Sequence, residues 1–457
     1  MLIALLLVAC APEPEEASPP TAPADTPPVT EPVTHPDPTL PILTLPTADT
    51  GASTGRATGD TGTPLTGSTG DTAEPEPGPQ PGDELFADEA TKRFVLGLDD
   101  TARDILRATP DVWVPASLTV GSDSFALVGV RLKGNGSFQP FDDKPSWKVD
   151  LDHYVEGQEI DGLDDLVLDN MSLDATWMRA HLANELYSEL GVPAPRSSWV
   201  TVVEGDREMV VLLSEDKDGR FLNRWYEDGD GPLYELFDVD ITTDQVPYLD
   251  HDGGPADLSA FFELAALLDQ PDMRLSADAG HVLDVEQFAH YLAISSVVGQ
   301  FDAYPYSVPG DDVYLYVDPT DGRIDILPHG VDETFTDRYR PVDFTVGRLG
   351  TACIADPVCE QWWAEGLWAT LDHVQAEVLP RLRADHARLV DAYGVEDCTA
   401  GIDSVQAEYD LSGAVSDAAL LAIQDGLSPT CSTVAHVAAF VIDRRTQLEG
   451  MPGVPPP

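Results

Sequence analysis

The chain has 457 residues and a formal net charge of -56 at pH 7, and 42% of its residues are hydrophobic. That apolar content is sufficient for a packed core rather than general disorder. An isoelectric point near 4.1 argues against a nucleic-acid backbone or an anionic lipid surface as the main partner, because both would be repelled. The composition therefore indicates a folded, highly soluble protein that does not bind nucleic acid.

The N-terminal segment, MLIALLLVAC, resembles a bacterial lipobox, in which an apolar run ends at a cysteine that is lipidated after cleavage. Residues 1–10 are therefore interpreted as a lipoprotein signal segment, with Cys10 as the lipidation site. Elsewhere, the sequence contains no apolar run of the length that a membrane span requires. We expect an exported protein that contacts the membrane of the bacterial cell envelope through its lipid anchor only.

Residues 11–85 are rich in Pro, Thr, Gly, Ser and acidic side chains, and Arg56 is the only Lys or Arg among them. Such a segment cannot bury enough apolar area to offset its chain entropy. We interpret it as a disordered tether, which would hold a folded domain on the order of 50 Å from the anchor.

Regular patterning covers residues 86–455, which we interpret as one domain. Alternation of apolar and polar residues predicts strands in VPASLTVG, SFALVGVRLKG, SWKVDLDHY, SSWVTVVEG and EMVVLLSED. Helices are predicted from Asp174, as N-cap, to Leu190, from Asp257 to Leu268, from Val285 to Val298, and over most of the tail after Glu360. A hairpin is predicted around Pro319 to Gly322. Strands followed by helices indicate an α+β domain.

Cations are concentrated early in this domain. Lys133, Lys144 and Lys148 fall within the segment RLKGNGSFQPFDDKPSWKVDL, which begins at Arg131, although the whole chain has only five lysines. One interpretation is a surface patch that offsets the surrounding acidity. The other is a phosphate-binding site, because phosphoryl transfer needs cations that hold the phosphates.

Acidic residues of the later hairpin supply the second requirement of phosphoryl transfer, which is a set of carboxylates that hold Mg²⁺ and orient the attacking hydroxyl. Asp302, Asp311, Asp312 and Asp332 lie around the predicted strand ends of FDAYPYSVPGDDVYLY and ILPHGVDETF. We hypothesise that these acids and the early lysines, although distant in sequence, share one pocket.

Four cysteines follow Cys10. An even number in an exported protein suggests two disulfides, and the short segment CIADPVC makes Cys353 with Cys359 the first choice, which leaves Cys398 with Cys431. The two other pairings stay open. A zinc site is the alternative, although CxxC spacing is missing.

Several linked blocks resemble the CotH kinase family of atypical protein kinases. The resemblance runs from about Val130 to Phe335, through RLKGNGS, KPSWKVDL, VLDNMSLDATWMRAHLANELYSELGVPAPRSSWVTV, LLSEDKDGRFLNRWYEDGDGPLYE and VYLYVDPTDGRIDILPHGVDETF. It implies a divergent protein-kinase-like fold with a mainly antiparallel sheet half and a helical half. It also implies ATP and Mg²⁺ or Mn²⁺ as cofactors and hydroxyl groups of a protein as phosphoacceptors.

The resemblance also implies roles for individual residues. Lys148 is the expected phosphate-contacting cation, with Glu185 or Glu215 as its ion-pair partner, and Asp302 is the expected catalytic aspartate. Asp332, with Asp311 and Asp312, is expected to hold the metal ion, while Arg131 and Lys133 add to the nucleotide site.

Two departures from the family pattern bear on catalysis. Gly330 stands where the family commonly has the first acid of an Asp-x-Asp pair, and Asp311 and Asp312 stand where it often has an asparagine. Two hypotheses therefore remain: a kinase acting on a surface or envelope protein, and a catalytically inactive surface protein with a structural or adhesive, divalent-ion-binding role. Calcium is an alternative cation, because acidic clusters occur near Asp228, Asp250 and Asp318, although none has EF-hand spacing.

Overall fold

The computed structural model describes residues 78–87, 91–307, 310–338 and 345–449. The predicted signal segment with Cys10, and the predicted tether as far as residue 77, lie outside the described residues. Within the described ranges, no helix has both the length and the apolar character that crossing a membrane would require.

Seven strands form a closed barrel in the order β1-β2-β3-β4-β5-β7-β6. Neighbouring strands are antiparallel, except that β1 and β6 are parallel and close the barrel. The strands are β1 (Lys92–Gly97), β2 (Val114–Val120), β3 (Asp123–Lys133), β4 (Ser146–Asp150), β5 (Asp165–Asp169), β6 (Ser197–Glu204) and β7 (Arg207–Ser214).

The barrel interior is apolar. Phe94, Leu118, Val130, Trp147 and Leu168 come from five different strands and are fully buried in one cluster. Because successive side chains of a strand point to opposite faces, this filling sends the intervening polar residues to the outer surface of the barrel.

A second sheet has four strands in the order β11-β10-β8-β9. Its members are β8 (Leu233–Leu236), β9 (Asp250–Gly253), β10 (Val313–Val317) and β11 (Ile324–Pro328). Strands β10 and β11 pair antiparallel, so the hairpin predicted around Pro319 to Gly322 is confirmed.

Most helices share one core with this sheet and with Trp199 and Leu212 of the barrel, whereas α1 and α2 pack into the barrel's own core. The central one is α7, which begins after the N-cap Asp284 and ends at the left-handed Gly299. Most of its residues are buried, as expected for a helix that is apolar on every side. The described helices are α1 (Asp83–Phe86), α2 (Asp100–Ala108), α3 (Arg179–Glu189), α4 (Gly219–Trp225), α5 (Ser259–Leu268), α6 (Leu275–Asp278), α7 (Val285–Val298), α8 (Arg348–Ala355), α9 (Pro357–His373), α10 (Leu379–Tyr393), α11 (Thr399–Ser412), α12 (Asp417–Gln424) and α13 (Pro429–Glu449).

Helix α3 begins at Arg179 rather than directly after Asp174. The Asp174 carboxylate accepts hydrogen bonds from the backbone N–H groups of Thr176 and Arg179, at 2.9 and 2.7 Å, and pairs with the Arg179 guanidinium. The side chain therefore holds a turn that precedes the helix. A polar residue that competes with the backbone in this way favours a turn over a helical start.

The expected divergent protein-kinase-like fold, with a sheet half and a helical half, is wrong. The chain is mixed α+β, but its large sheet closes into a seven-stranded barrel. The closing pair, β1 with β6, joins strands about a hundred residues apart along the chain. Alternation of apolar and polar residues locates single strands, but it does not show which distant strands pair with one another.

Both disulfides of the favoured pairing are confirmed. Cys353 bonds Cys359 across the start of α9, and Cys398 bonds Cys431 between the starts of α11 and α13. All four cysteines are buried.

The two disulfides should contribute unequally to stability. The loop closed by Cys398 and Cys431 spans a sequence separation of 33, against 6 for Cys353 and Cys359. Because loop-closure entropy grows with loop length, replacing Cys398 and Cys431 by alanine should lower the free energy of unfolding by about 1.5 kcal/mol more than replacing the other pair. Urea unfolding of both double variants measures this difference, and similar burial makes each the control for the other. Equal losses would contradict the entropic account.

Candidate functional site

Strands β3 and β4 place three cations on the outer surface of the barrel. Trp147 and Val149 belong to the barrel core, so Lys148 between them faces outward. The antiparallel register sets Arg131 directly opposite Lys148 and puts Lys133 on the same face two residues further on. The closed barrel thus turns the lysine-rich segment toward the helices and the second sheet.

The Lys148 ammonium forms an ion pair with Asp216, at 2.7 Å between Nζ and Oδ2. Both side chains are about one quarter exposed, at 24% and 23%. Burial opposes the charge of Lys148, but the contact with Asp216 outweighs it, and the pKa of the lysine is raised. Nearby, burial raises the pKa of the Asp165 carboxyl to about 7, despite the opposing charge of Lys148.

The two glutamates expected to pair with the β4 lysine lie elsewhere. Glu215 is buried between the guanidinium groups of Arg196, at 2.7 Å, and Arg224. Glu185 lies on α3, 4.0 Å from the Arg381 side chain of α10. The ion-pair partner of Lys148 is therefore Asp216, and neither Glu185 nor Glu215. Glu215 pairs with the two arginines, whereas the adjacent Asp216 faces Lys148.

Lys217 connects the barrel to the second sheet. Its ammonium lies 3.0 Å from Nδ1 of His329 and 4.8 Å from the centroid of the Tyr314 ring. Burial lowers the pKa of Lys217 to about 8. Burial and the charge of Lys217 hold the pKa of His329 well below its usual range, so a neutral imidazole accepts this hydrogen bond. Glu235 lies on the other side of the ring, 3.7 Å from Nε2.

Acidic side chains gather at the ends of α7 and β10. Asp302 follows the C-cap of α7 and is exposed, whereas Asp311 and Asp312 directly precede β10. Burial, followed by the charges of Asp311, Asp302 and Asp332, raises the pKa of the Asp312 carboxyl to about 8. Asp312 therefore lies close enough to the other three predicted acids to be repelled by them.

Asp332 extends this group toward the barrel. It lies in the short 3₁₀ turn after β11, and burial followed by the charge of Asp169 raises its pKa to about 6. Asp169, on β5, lies 4.0 Å from the Lys133 ammonium. Lys144 lies 4.4 Å from the centroid of the Trp177 ring, and Asp169 is also its electrostatic neighbour. Asp169 thus links two of the early lysines to a late acid.

These contacts define what we call the lysine–aspartate cleft, between the outer face of the barrel and the ends of β10 and β11. Lys133, Lys148, Asp302, Asp311, Asp312 and Asp332, all predicted from sequence, belong to it together with Asp169, Asp216, Lys217, Glu235 and His329. Arg131 is on the same barrel face, but its guanidinium lies over the Trp113 ring, 5.2 Å from the centroid.

Sequence reasoning missed five members of the cleft as functional residues: Asp169, Asp216, Lys217, Glu235 and His329. Lys217 carried a usable signal, because it is one of only five lysines and follows a predicted strand that ends near Glu215. His329 likewise directly follows β11 in the segment ILPHG. Strand ends that converge from different sheets can be recognised only once the sheets are known.

A buried arginine supports the segments that carry the late acids. Arg444, on α13, donates to the backbone carbonyls of Val297 at 2.8 Å and Ser296 at 2.7 Å, at the end of α7. It also donates to the carbonyl of Arg338, at 3.0 Å. One side chain thereby joins the helix end before Asp302 to the segment after Asp332.

A barrel face bearing lysines opposite a set of carboxylates has the residue types of a phosphoryl-transfer site. The sequence comparison agrees with that class, because the CotH kinase protein family matches residues 130–377, more than half of the chain. The chain belongs to the CotH kinase protein family. No curated protein sequence matches it. The matched range contains every member of the cleft, whereas Arg444 lies outside it.

The raised pKa of Asp165 predicts a pH dependence of stability. Because the folded pKa, about 7, lies above the ordinary value of 3.8, the folded state retains a proton that the unfolded chain releases. This group therefore makes the free energy of unfolding fall as pH rises from about 4 to about 7, by at most about 1.4 kcal/mol per pH unit.

Asp165→Asn should remove this contribution to the pH dependence. The free energy of unfolding of the variant, compared with that of the parent, should therefore be more favourable at pH 8 than at pH 4. Urea unfolding across this range measures the effect. Asp206→Asn, in the exposed β6–β7 turn, is the matched control and should follow the parent. Parallel pH profiles for Asp165→Asn and the parent would refute the assignment.

Proposed function

We propose that the protein is a divalent-metal-dependent kinase that transfers phosphate from a nucleotide, ATP in the first instance, to hydroxyl groups of a surface or envelope protein. The observation that carries the proposal is the series of contacts that leads from Lys217 through His329 to Asp312, whose carboxyl is in turn coupled to Asp302 and Asp332. Membership of the CotH kinase protein family supports the same reaction class.

The lysines of the cleft would bind the phosphates. Lys148 is partly exposed and lies beside Asp216, which keeps it charged and oriented. Lys217 is buried deeper, and its contact with a neutral His329 leaves its positive charge available to an anion. In a chain with net charge -56, a polyanionic nucleotide can approach only where such local cations face it.

Asp302 would accept or orient the proton of the substrate hydroxyl. It is the exposed member of the acidic group, so a protein substrate could reach it. A general base must lie within hydrogen-bond reach of the hydroxyl that it activates, and an exposed carboxylate leaves room for a hydroxyl of a protein substrate to come that close.

The donor set fits a hard cation such as Mg²⁺ or Mn²⁺. Asp312 and Asp332 would hold the ion, which when bound neutralises charge on the phosphate oxygens. Among the described residues, the one group of three possible ligands within 4.8 Å of one another is Glu396, Cys398 and Cys431, and its sulfurs form a disulfide. Two carboxylates completed by phosphate oxygens and water suit Mg²⁺, which commonly retains several waters.

Two substitutions should separate binding from chemistry. Asp302→Asn should abolish transfer of labelled phosphate from ATP with Mn²⁺ or Mg²⁺ but leave nucleotide affinity nearly unchanged, because the side chain would act on the acceptor. Lys148→Met should weaken nucleotide binding by about 10- to 100-fold, the loss expected for one charge-assisted contact of 1.5–3 kcal/mol.

The matched controls are Asp272→Asn, in an exposed turn, and Lys92→Met, on β1. Both should transfer phosphate and bind nucleotide as the parent does. Equal labelling of Asp302→Asn and the parent would refute the catalytic assignment. A parent that binds nucleotide and transfers nothing would favour the alternative, a catalytically inactive surface protein that binds divalent ions.

We also propose that the protein acts on the outside of a membrane, attached through a lipid on Cys10 and held away from it by the segment between Cys10 and α1. Cys10→Ala should move the protein from the membrane fraction to the soluble fraction of a bacterial host, as measured by fractionation and immunoblotting. Cys353→Ala, which removes a cysteine of the folded domain, is the control and should stay with the membrane. Unchanged fractionation of Cys10→Ala would exclude this anchor.

A further inference from the structure

Residue 330 has no room for a side chain. A Cβ built on Gly330 would lie well inside 3.0 Å of Cγ and of both carboxylate oxygens of Asp312, a separation that real Cβ atoms do not reach. The carboxylate of Asp312 therefore occupies the space in which a residue-330 side chain would begin. A side chain at residue 330 and the carboxylate of Asp312 cannot both occupy this part of the cleft.

The β10–β11 ladder brings these residues together. Val313 pairs with Pro328, and the N–H of His329 donates to the carbonyl of Asp312 at 3.1 Å. Asp312 thus lies across the end of the hairpin from Gly330. Both residues have left-handed backbone conformations, with φ of 55° and 53°, which glycine adopts freely and aspartate tolerates better than most residues.

Gln300 provides an independent indication of a bound ligand at this place. Its side chain is 1% exposed, and Nε2 donates to the carbonyls of His329 and Gly330, at 2.9 Å each. Its carbonyl oxygen, Oε1, is buried and accepts no hydrogen bond within the described part of the chain. A buried amide oxygen without a donor is costly, and a hard cation or a water molecule would satisfy it.

We propose that Asp312, which directly precedes β10, supplies a carboxylate that binds the divalent cation. Gly330 cannot supply this carboxylate because it has no side chain. Gly330 is then an adaptation to Asp312 and leaves the cation site complete. This inference rests on the proposed function for the purpose of the ion, but its geometry concerns only residues 312 and 330.

Exchanging the two residues tests the inference in the full-length chain. Titration with Mn²⁺ alone, followed by electron paramagnetic resonance, measures binding, and thermal unfolding measures stability. Asp312→Gly should weaken Mn²⁺ binding by at least about 10-fold, the effect of one lost charged ligand. Gly330→Asp should lower the unfolding temperature, because it forces two carboxylates into one space. The double variant, Asp312→Gly with Gly330→Asp, should recover both the binding and the unfolding temperature.

Asp161→Gly is the matched control. Asp161 also has a positive φ, 51°, but lies near the barrel, where its carboxylate accepts hydrogen bonds from the backbone of Glu84 and Leu85. This variant can lose stability and should bind Mn²⁺ as the parent does. It shows whether introducing glycine at such a position affects the cleft indirectly.

The outcomes separate this inference from the proposed function. Parent-like Mn²⁺ binding by Asp312→Gly, no Mn²⁺ binding by the parent, or a folded double variant that stays as weak as Asp312→Gly would each overturn the inference. Recovery by the double variant supports it, whether or not the parent transfers phosphate. Recovery in a parent that transfers none would refute the kinase proposal alone.

Discussion

The position of the cleft depends on one constraint: a closed barrel has an apolar interior, so charged side chains of its strands must lie on the outer surface. A barrel interior packed with Trp147 and its apolar neighbours admits no charge, so alternation along β4 sends Lys148 outward. Register with β3 then adds Lys133 to the same face. The apolar pattern of these strands is therefore as important for the position of the cations as the lysines themselves, since a slip of one residue would bury them.

The second feature of the cleft is an excess of carboxylates over cations at close range. The pKa values of Asp312 and Asp332 are raised to about 8 and 6, and burial is the largest cause in each case. Such groups shed protons readily when a cation arrives, because the cation removes both the desolvation cost and the mutual repulsion. The same acids would repel a nucleotide that came without a metal ion. In the proposed kinase, charge balance would thus favour a metal-bound nucleotide over a free nucleotide.

Local pattern predicted single elements well and their assembly poorly. Helix α7 and the β10–β11 hairpin were predicted closely because caps and turn residues mark them in sequence. The barrel was missed because its closure by β1 and β6 is a long-range pairing. At the site, the partner of Lys148 is Asp216 and not the adjacent Glu215. Neighbouring acids at a strand end face opposite ways, and sequence does not show which one meets the lysine.

The C-terminal helices explain how the repelling acids are held in place. Asp302, Asp312 and Asp332 gain no stability from one another, so the segments that carry them must be fixed by contacts elsewhere. Arg444 provides such contacts through three backbone carbonyls, and its own helix, α13, is cross-linked at Cys431 to Cys398, before α11. A guanidinium is suited to this role because its fixed fork of donors satisfies several carbonyls at once. Although α13 lies beyond the family-matched residues, it therefore supports the geometry of the cleft.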